Sequence, residues 1–150
     1  MLARREIEAR IAVPLIEAFA EEVGHEKALD IVTAVIQTLA QQSGKQLADA
    51  LGGNSIADFA EGIKYWQRDD ALTIELVEHT DTALAFNVVK CRYADMYREL
   101  GYQDFGYLLS CNRDMAMVAG FNPNMSLTRT QTIMEGHRFC DFRYQLHQQA

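Results

Sequence analysis

The hydrophobic period of this chain changes once, at Asp69-Asp70, and that change limits what it can fold into. Upstream, apolar residues recur every three or four positions, the spacing of one helical face. Downstream, Leu72, Ile74 and Leu76 alternate with Thr73, Glu75 and Val77, and Leu84, Phe86 and Val88 repeat the period of two. The polar stretch from His79 to Thr82 separates these strands as the turn of a hairpin.

In the first half, Ile7, Ile11, Leu15, Ala18, Phe19 and Val23 suit the buried face of a helix over 3–23, with Pro14 marking a kink or a restart. Ala28, Ile31, Val32, Val35, Leu39 and Leu47 form a second stripe over 25–51, with Gly44 as a break and Gly52-Gly53 as a stop. Ser55 caps a third helix over 56–66, and Asp58 stands at its third position, where a carboxylate suits the helix dipole. In the second half, 91–101 and 106–120 read as helices and Asn122-Pro123-Asn124 as a turn. Strands over 125–134 and 138–146 follow, turning at Glu135-Gly136-His137. The expected fold class is α+β: N-terminal helices plus a four-stranded antiparallel sheet made of two hairpins, with intervening helices packed on one side. A chain of 150 residues suits one domain, with 1–68 as helical scaffold and 70–147 carrying the sheet, the inserted helices and the candidate site.

A formal net charge of −7 argues against nucleic acid as a partner, because phosphates demand a basic stripe and no Lys/Arg run exceeds Arg4-Arg5. No apolar run approaches the roughly 20 residues that span a bilayer, and MLARREIEAR is charged where a signal peptide needs an apolar core. The expectation is therefore no membrane and a cytoplasmic location. Three cysteines, an odd number, then read as thiols or metal ligands rather than a disulfide framework.

Cys91 falls at a strand end or helix start, Cys111 inside a helix, and Cys140 in the last strand on the face of Phe142, Tyr144 and Leu146. Three buried core thiols would be the plain reading. Yet Asp95 follows Cys91 by four residues and Asp114 follows Cys111 by three, which puts a carboxylate on the helical face of each thiol. A carboxylate neighbour raises a thiol pKa, so these cysteines call for a compensating cation. Zinc accepts Cys, His and Asp ligands and can activate water, although no CxxC or HxxxH motif is present. His137 is the histidine that lies among these motifs, as a base or a ligand. Arg129, in a strand with Thr128, Thr130 and Thr132, offers a fork for a substrate carboxylate.

Taken in order, C91-R-Y-A-D95, C111-N-R-D114, T128-R-T-Q-T and G136-H-R-F-C140-D-F142 resemble the L-2-amino-thiazoline-4-carboxylic acid hydrolase family, over about 85–146. The resemblance implies a cytoplasmic hydrolase opening a cyclic amidine-like ring. The ending G136-x-x-x-C140-x-F142 is also similar to V4R domains, small ligand-binding modules that can hold zinc through cysteines; Thr132 stands where those domains have a further cysteine. Under the hydrolase reading Cys91, Cys111, Asp114, His137 and Cys140 are the catalytic set and Arg129, Thr130 and Thr132 bind substrate. The three cysteines would then either hold zinc or supply a nucleophile. The alternatives are a V4R-like sensor for a small ligand, and an interaction domain whose first two helices form a homodimer around plain core cysteines.

Overall fold

In a computed structural model that describes residues 1–147, two long helices precede the mixed part of the chain. Helix α1 (Leu2–Val23) runs unbroken through Pro14 and meets α2 (His25–Leu51) at Gly24. Helix α3 (Ile56–Ile63) starts where sequence places it: Ser55 Oγ accepts from the Asp58 N–H at 3.2 Å, and the Asp58 carboxylate accepts the Ser55 N–H at 2.9 Å. This reciprocal box satisfies two of the amides that a helix start leaves open.

Strands β1 (Leu72–His79) and β2 (Ala83–Cys91) form the first hairpin, followed by α4 (Arg92–Glu99), α5 (Gln103–Leu109), α6 (Asp114–Phe121), β3 (Met125–Thr128) and β4 (Cys140–Leu146). All neighbours are antiparallel in the order β1-β2-β4-β3, so the two expected hairpins join into one sheet along β2 and β4. The chain is thus α+β, as expected.

Three local expectations are corrected. The helix expected over 106–120 breaks into α5, a 3-10 turn at Cys111–Arg113, and α6. The strand expected over 125–134 ends at Thr128, because the Asp141 carboxylate takes the N–H groups of Thr130 and Gln131, both at 2.9 Å, and draws the chain off the sheet. Gly44 is no helix break: it lies buried inside α2, where an added Cβ would stand 2.0 Å from the Met117 carbonyl oxygen. Gly120 of α6 has the reciprocal relation to Gln41, so α2 and α6 touch backbone to backbone through two glycines.

The main core lies between the sheet and helices α3 and α6. Leu84, Phe86 and Val88 pair across the ladder with Tyr144, Phe142 and Cys140, and Phe59 and Phe121 pack on them. Phe86 stacks on Phe142 at 5.1 Å between centroids, and Phe59 meets Tyr144 at 4.8 Å. A second cluster joins Ala9, Val13 and Ile16 of α1 to Met96, Tyr97 and Leu109. The apolar stripe expected to be buried is therefore the wrong face of α1: Ile7, Ile11, Leu15 and Phe19 are each more than half exposed. On α2 the expected stripe divides: Ala28 is buried and Val32 and Leu47 pack against the core clusters, while Ile31, Val35 and Leu39 face outward and Ala40 and Gly44 are buried beside them.

Candidate active site

Where the end of β2 runs beside the start of β4, the sheet carries two of the cysteines to one edge. Val88 pairs with Cys140, and Cys91 lies three residues further along β2, at its junction with α4. Helix α6, drawn against α2 by the glycine contact, sets its first residue Asp114 and the preceding turn with Cys111 over the same edge. A cavity of about 110 Å³ results. Cys91, Cys111, Asp114, Arg129 and Cys140 all line it, with Trp66, Leu72, Val88, Met117 and Phe142 as apolar walls. Five of the eight residues singled out in the sequence thus come together.

The other three do not. His137 is exposed beyond Gly136, whose φ of 95° turns the loop, and it is not part of the cavity lining. Thr130 donates its hydroxyl to Asp141 at 2.6 Å, and buried Thr132 caps the 3-10 turn Ile133–Glu135 by accepting the Glu135 N–H at 3.1 Å. Both threonines hold the loop rather than border the cavity.

Arg129, just past β3, has a side chain only 3% exposed. Its Nη1 donates to the Asp114 carboxylate, and its Nη2 donates to the Cys111 carbonyl at 3.2 Å and the Tyr107 hydroxyl at 3.5 Å. The carboxylate gripped by this fork is therefore Asp114's, and Arg129 ties the turn, α6 and the β3 end into one wall. Burial pushes the Asp114 carboxyl up to about 6, with Arg129 pulling the other way. Burial opposes the charge of Arg129, yet Asp114 lifts the guanidinium further above its ordinary range.

The thiols differ in what opposes burial. Cys111 is pushed well up by burial and then by Asp114. Cys140 is pushed up to about 11 by burial, against the Ile133 N–H that points at its sulfur from 3.2 Å. Cys91 rises through burial as well, but it sits at the N-terminus of α4. It forms no cap hydrogen bond there, yet the N–H groups of Ala94 and Tyr93 pull its pKa down. Helix N-terminal amides favour a thiolate, so Cys91 is the best placed of the three to ionise during a reaction. Asp95 and Asp114 both raise it, as expected for carboxylate neighbours.

Among the described residues no group of three or more His, Cys, Asp or Glu side chains is arranged to hold a metal ion. Cys91, Cys111 and Cys140, the zinc set expected from sequence, line the cavity from separate elements and form no such group.

Sequence reasoning missed Arg5, Tyr93 and Arg113, which border the cavity. Arg113 is the residue just before Asp114 in the motif already noted, and Tyr93 lies between Cys91 and Asp95, so proximity to those motifs was the available signal.

The fold and the cavity define a small α+β module with a cavity at one end of its sheet. The chain belongs to the L-2-amino-thiazoline-4-carboxylic acid hydrolase family, whose sequence pattern matches residues 4–144. Two solved structures share the fold at low identity. One is the phenol-responsive sensory domain of the transcription activator PoxR with phenol, 10% identical, TM-score 0.55, covering 89% of this chain and 71% of that one. The other is a trafficking protein particle complex subunit 3 from Naegleria fowleri covalently bound to palmitic acid, 12% identical, TM-score 0.58, covering 99% and 98%. No curated protein sequence matches. Among the described residues no helix is long and apolar enough to cross a membrane.

Proposed function

We propose that this protein is a hydrolase that opens a small cyclic amidine-like ring, with Cys91 as nucleophile and Asp114 as proton carrier. The observation that carries this reading is the opening of a helix-N-terminal thiol and a carboxyl with a pKa of about 6 onto one cavity. A group that titrates near the working pH both takes and returns protons well. An enclosed apolar cavity of about 150 Å³ holds a benzene ring, so a half-open cavity of about 110 Å³ is of the size to take one small ring as the reacting part. As the Cys91 sulfur adds to the amidine carbon, its proton passes to Asp114. The ring carbon–sulfur bond then breaks and the departing sulfur takes that proton. Water adds to the same carbon, Cys91 leaves as the thiol, and a carbamoyl product remains, one water added in all.

The test is release of a new thiol from 2-aminothiazoline-4-carboxylate by the purified protein. Cys91→Ser should lower kcat by at least about a thousandfold, Cys140→Ser should keep most of it, and intact mass should find the substrate on Cys91. Unchanged turnover by Cys91→Ser would overturn this assignment. Activity that survives replacement of all three cysteines but fails in Asp114→Asn would mean direct attack by water.

A second reading, a sensor that binds without chemistry, is favoured by the mostly apolar walls and by thiol pKa values that keep all three sulfurs protonated at neutral pH. The PoxR sensory domain holds phenol, a single small ring. Saturable binding of a small ring compound with no turnover would favour this reading.

We also propose that two copies pair through α1 and α2. Ile7, Ile11, Leu15, Phe19 and Val23 on α1 and Ile31, Val35 and Leu39 on α2 are exposed, and Ile11, Leu15 and Leu39 border one groove. These eight side chains present on the order of 800 Å² of apolar surface, above the largest patch of an ordinary monomer and close to one side of a standard interface. The first half of α1 carries Arg4, Arg5 and Arg10 with Glu6 and Glu8, a net +1, and the second half Glu17, Glu21 and Glu22, a net −3. A twofold axis that crosses α1 antiparallel to its copy sets each weakly positive half against an acidic one. Sedimentation equilibrium should give a dimer at micromolar concentration and a monomer for Ile11→Asp/Phe19→Asp; a monomeric wild type would overturn it.

A further inference from the structure

The polar atoms at the cavity have an excess of donors. Asp114 is taken by Arg129. Arg113, next to it, is half-buried and has no ion pair or side-chain hydrogen bond among the described residues. Arg5 also borders the cavity, and Glu8 serves both Arg4 and Arg5. The cavity lining thus carries three guanidiniums, Arg5, Arg113 and Arg129, against one carboxylate, Asp114, in a chain whose formal net charge is −7. Their mutual repulsion is felt: burial and then Arg5 hold the Arg113 pKa below its usual value. Tyr93 adds an independent sign. It is 8% exposed, it lines the cavity, and its hydroxyl is buried without a partner. A buried hydroxyl left unpaired is unfavourable, and with the field of the Arg5 guanidinium reaching Tyr93 the partner that satisfies it is an acceptor.

We infer that Arg113 and Tyr93 form a subsite for a carboxylate on the ring of the ligand. This deepens the ring-opening reading, and it moves recognition of the acid from Arg129 to Arg113. The planar fork of Arg113 matches the two oxygens of a carboxylate, and the Tyr93 hydroxyl donates to one of them. Arg5 is a positioning residue: its field reaches both Arg113 and Tyr93 while its own side chain bonds Glu8.

The cavity thiols supply a test that needs no turnover. Alkylation of Cys91 is followed by peptide mass at pH 9 with iodoacetate and with iodoacetamide, which differ in charge and little in size. In wild-type protein the iodoacetate to iodoacetamide rate ratio at Cys91 should exceed that of free cysteine. In Arg113→Gln it should fall about tenfold, as expected for loss of one nearby charge, with Arg113→Lys in between and Tyr93→Phe showing a smaller drop. Salt at 1 M should reduce the wild-type preference with no variant involved, and less than it would at an exposed site. A wild-type ratio equal to that of free cysteine, a ratio unmoved in Arg113→Gln, or failure of both reagents to reach Cys91 would overturn the subsite. If the preference holds while the thiazoline ring is never opened, the subsite stands and the hydrolase reading falls. If the ring is opened while the ratio stays unmoved, the hydrolase reading stands and the subsite falls.

Discussion

The helical hairpin of α1 and α2 and the sheet half bury opposite kinds of residue. Under the sheet, large aromatics fill the core: Phe59, Phe86, Phe121, Phe142 and Tyr144 interlock edge to face and in stacks. In the hairpin the buried positions are mostly small, Ala9, Ala28, Ala40 and Gly44, and the large side chains look outward. Small residues let helix axes approach until backbones touch, as at Gly44 and Gly120. One region is stabilised by side-chain volume within the chain. The other is stabilised by close approach and leaves its large apolar side chains exposed.

The contrast breaks most readily at Phe59. Truncation to Ala removes a side chain 0% exposed that touches Trp66, Phe121 and Tyr144, and should cost about 4 kcal/mol in urea denaturation. Phe19→Ala, at 61% exposure, should stay within about 0.5 kcal/mol in monomer-forming conditions. Equal losses at the two sites would abolish the distinction. Gly44→Ala comes next: its Cβ would meet the Met117 carbonyl at 2.0 Å, so α6 must shift, at about 2–3 kcal/mol. Because α6 carries Asp114, the same variant should lower activity more than its stability loss explains.

The pH response sharpens the comparison on the side of the site. Asp114 has a folded pKa of about 6 against about 3.9 in an unfolded chain, so the native state holds the proton more tightly. Stability should therefore fall as pH rises from about 4 to about 6, a slope that Asp114→Asn removes. Over the same range kcat/KM for ring opening should rise, with its midpoint near 6, as the carboxylate becomes available. A smaller loss concerns the entrance to α3. Ser55→Ala should cost about 1 kcal/mol, through loss of the cap to Asp58, with no change in cavity alkylation.

Much of this arrangement was legible because it is local. The Ser55–Asp58 box, the hairpin around Thr80–Ala83 and the placing of Cys91 at a strand-to-helix junction depend on residues within a few positions of each other. The convergence of Cys91, Cys111, Asp114, Arg129 and Cys140 was legible through the family motifs. His137, Thr130 and Thr132 fall outside the cavity lining, which sequence could not show because a polar residue in a loop looks the same whether it faces a ligand or fastens the loop. Arg129 was assigned to a substrate because its protein partner, Asp114, lies 15 residues away and is brought to it only by folding.

By itself, the sequence determined the order and type of the elements, the α+β class and the family, since these follow from periodicity, caps and short motifs. Tertiary structure decided which face of α1 and α2 is core, where the segment 106–120 breaks, and where β3 ends. It also decided which cation at the cavity stays uncommitted. The reason is physical: a helical stripe fits a core and an interface equally well, and a charge becomes free or bound only when distant partners are fixed beside it.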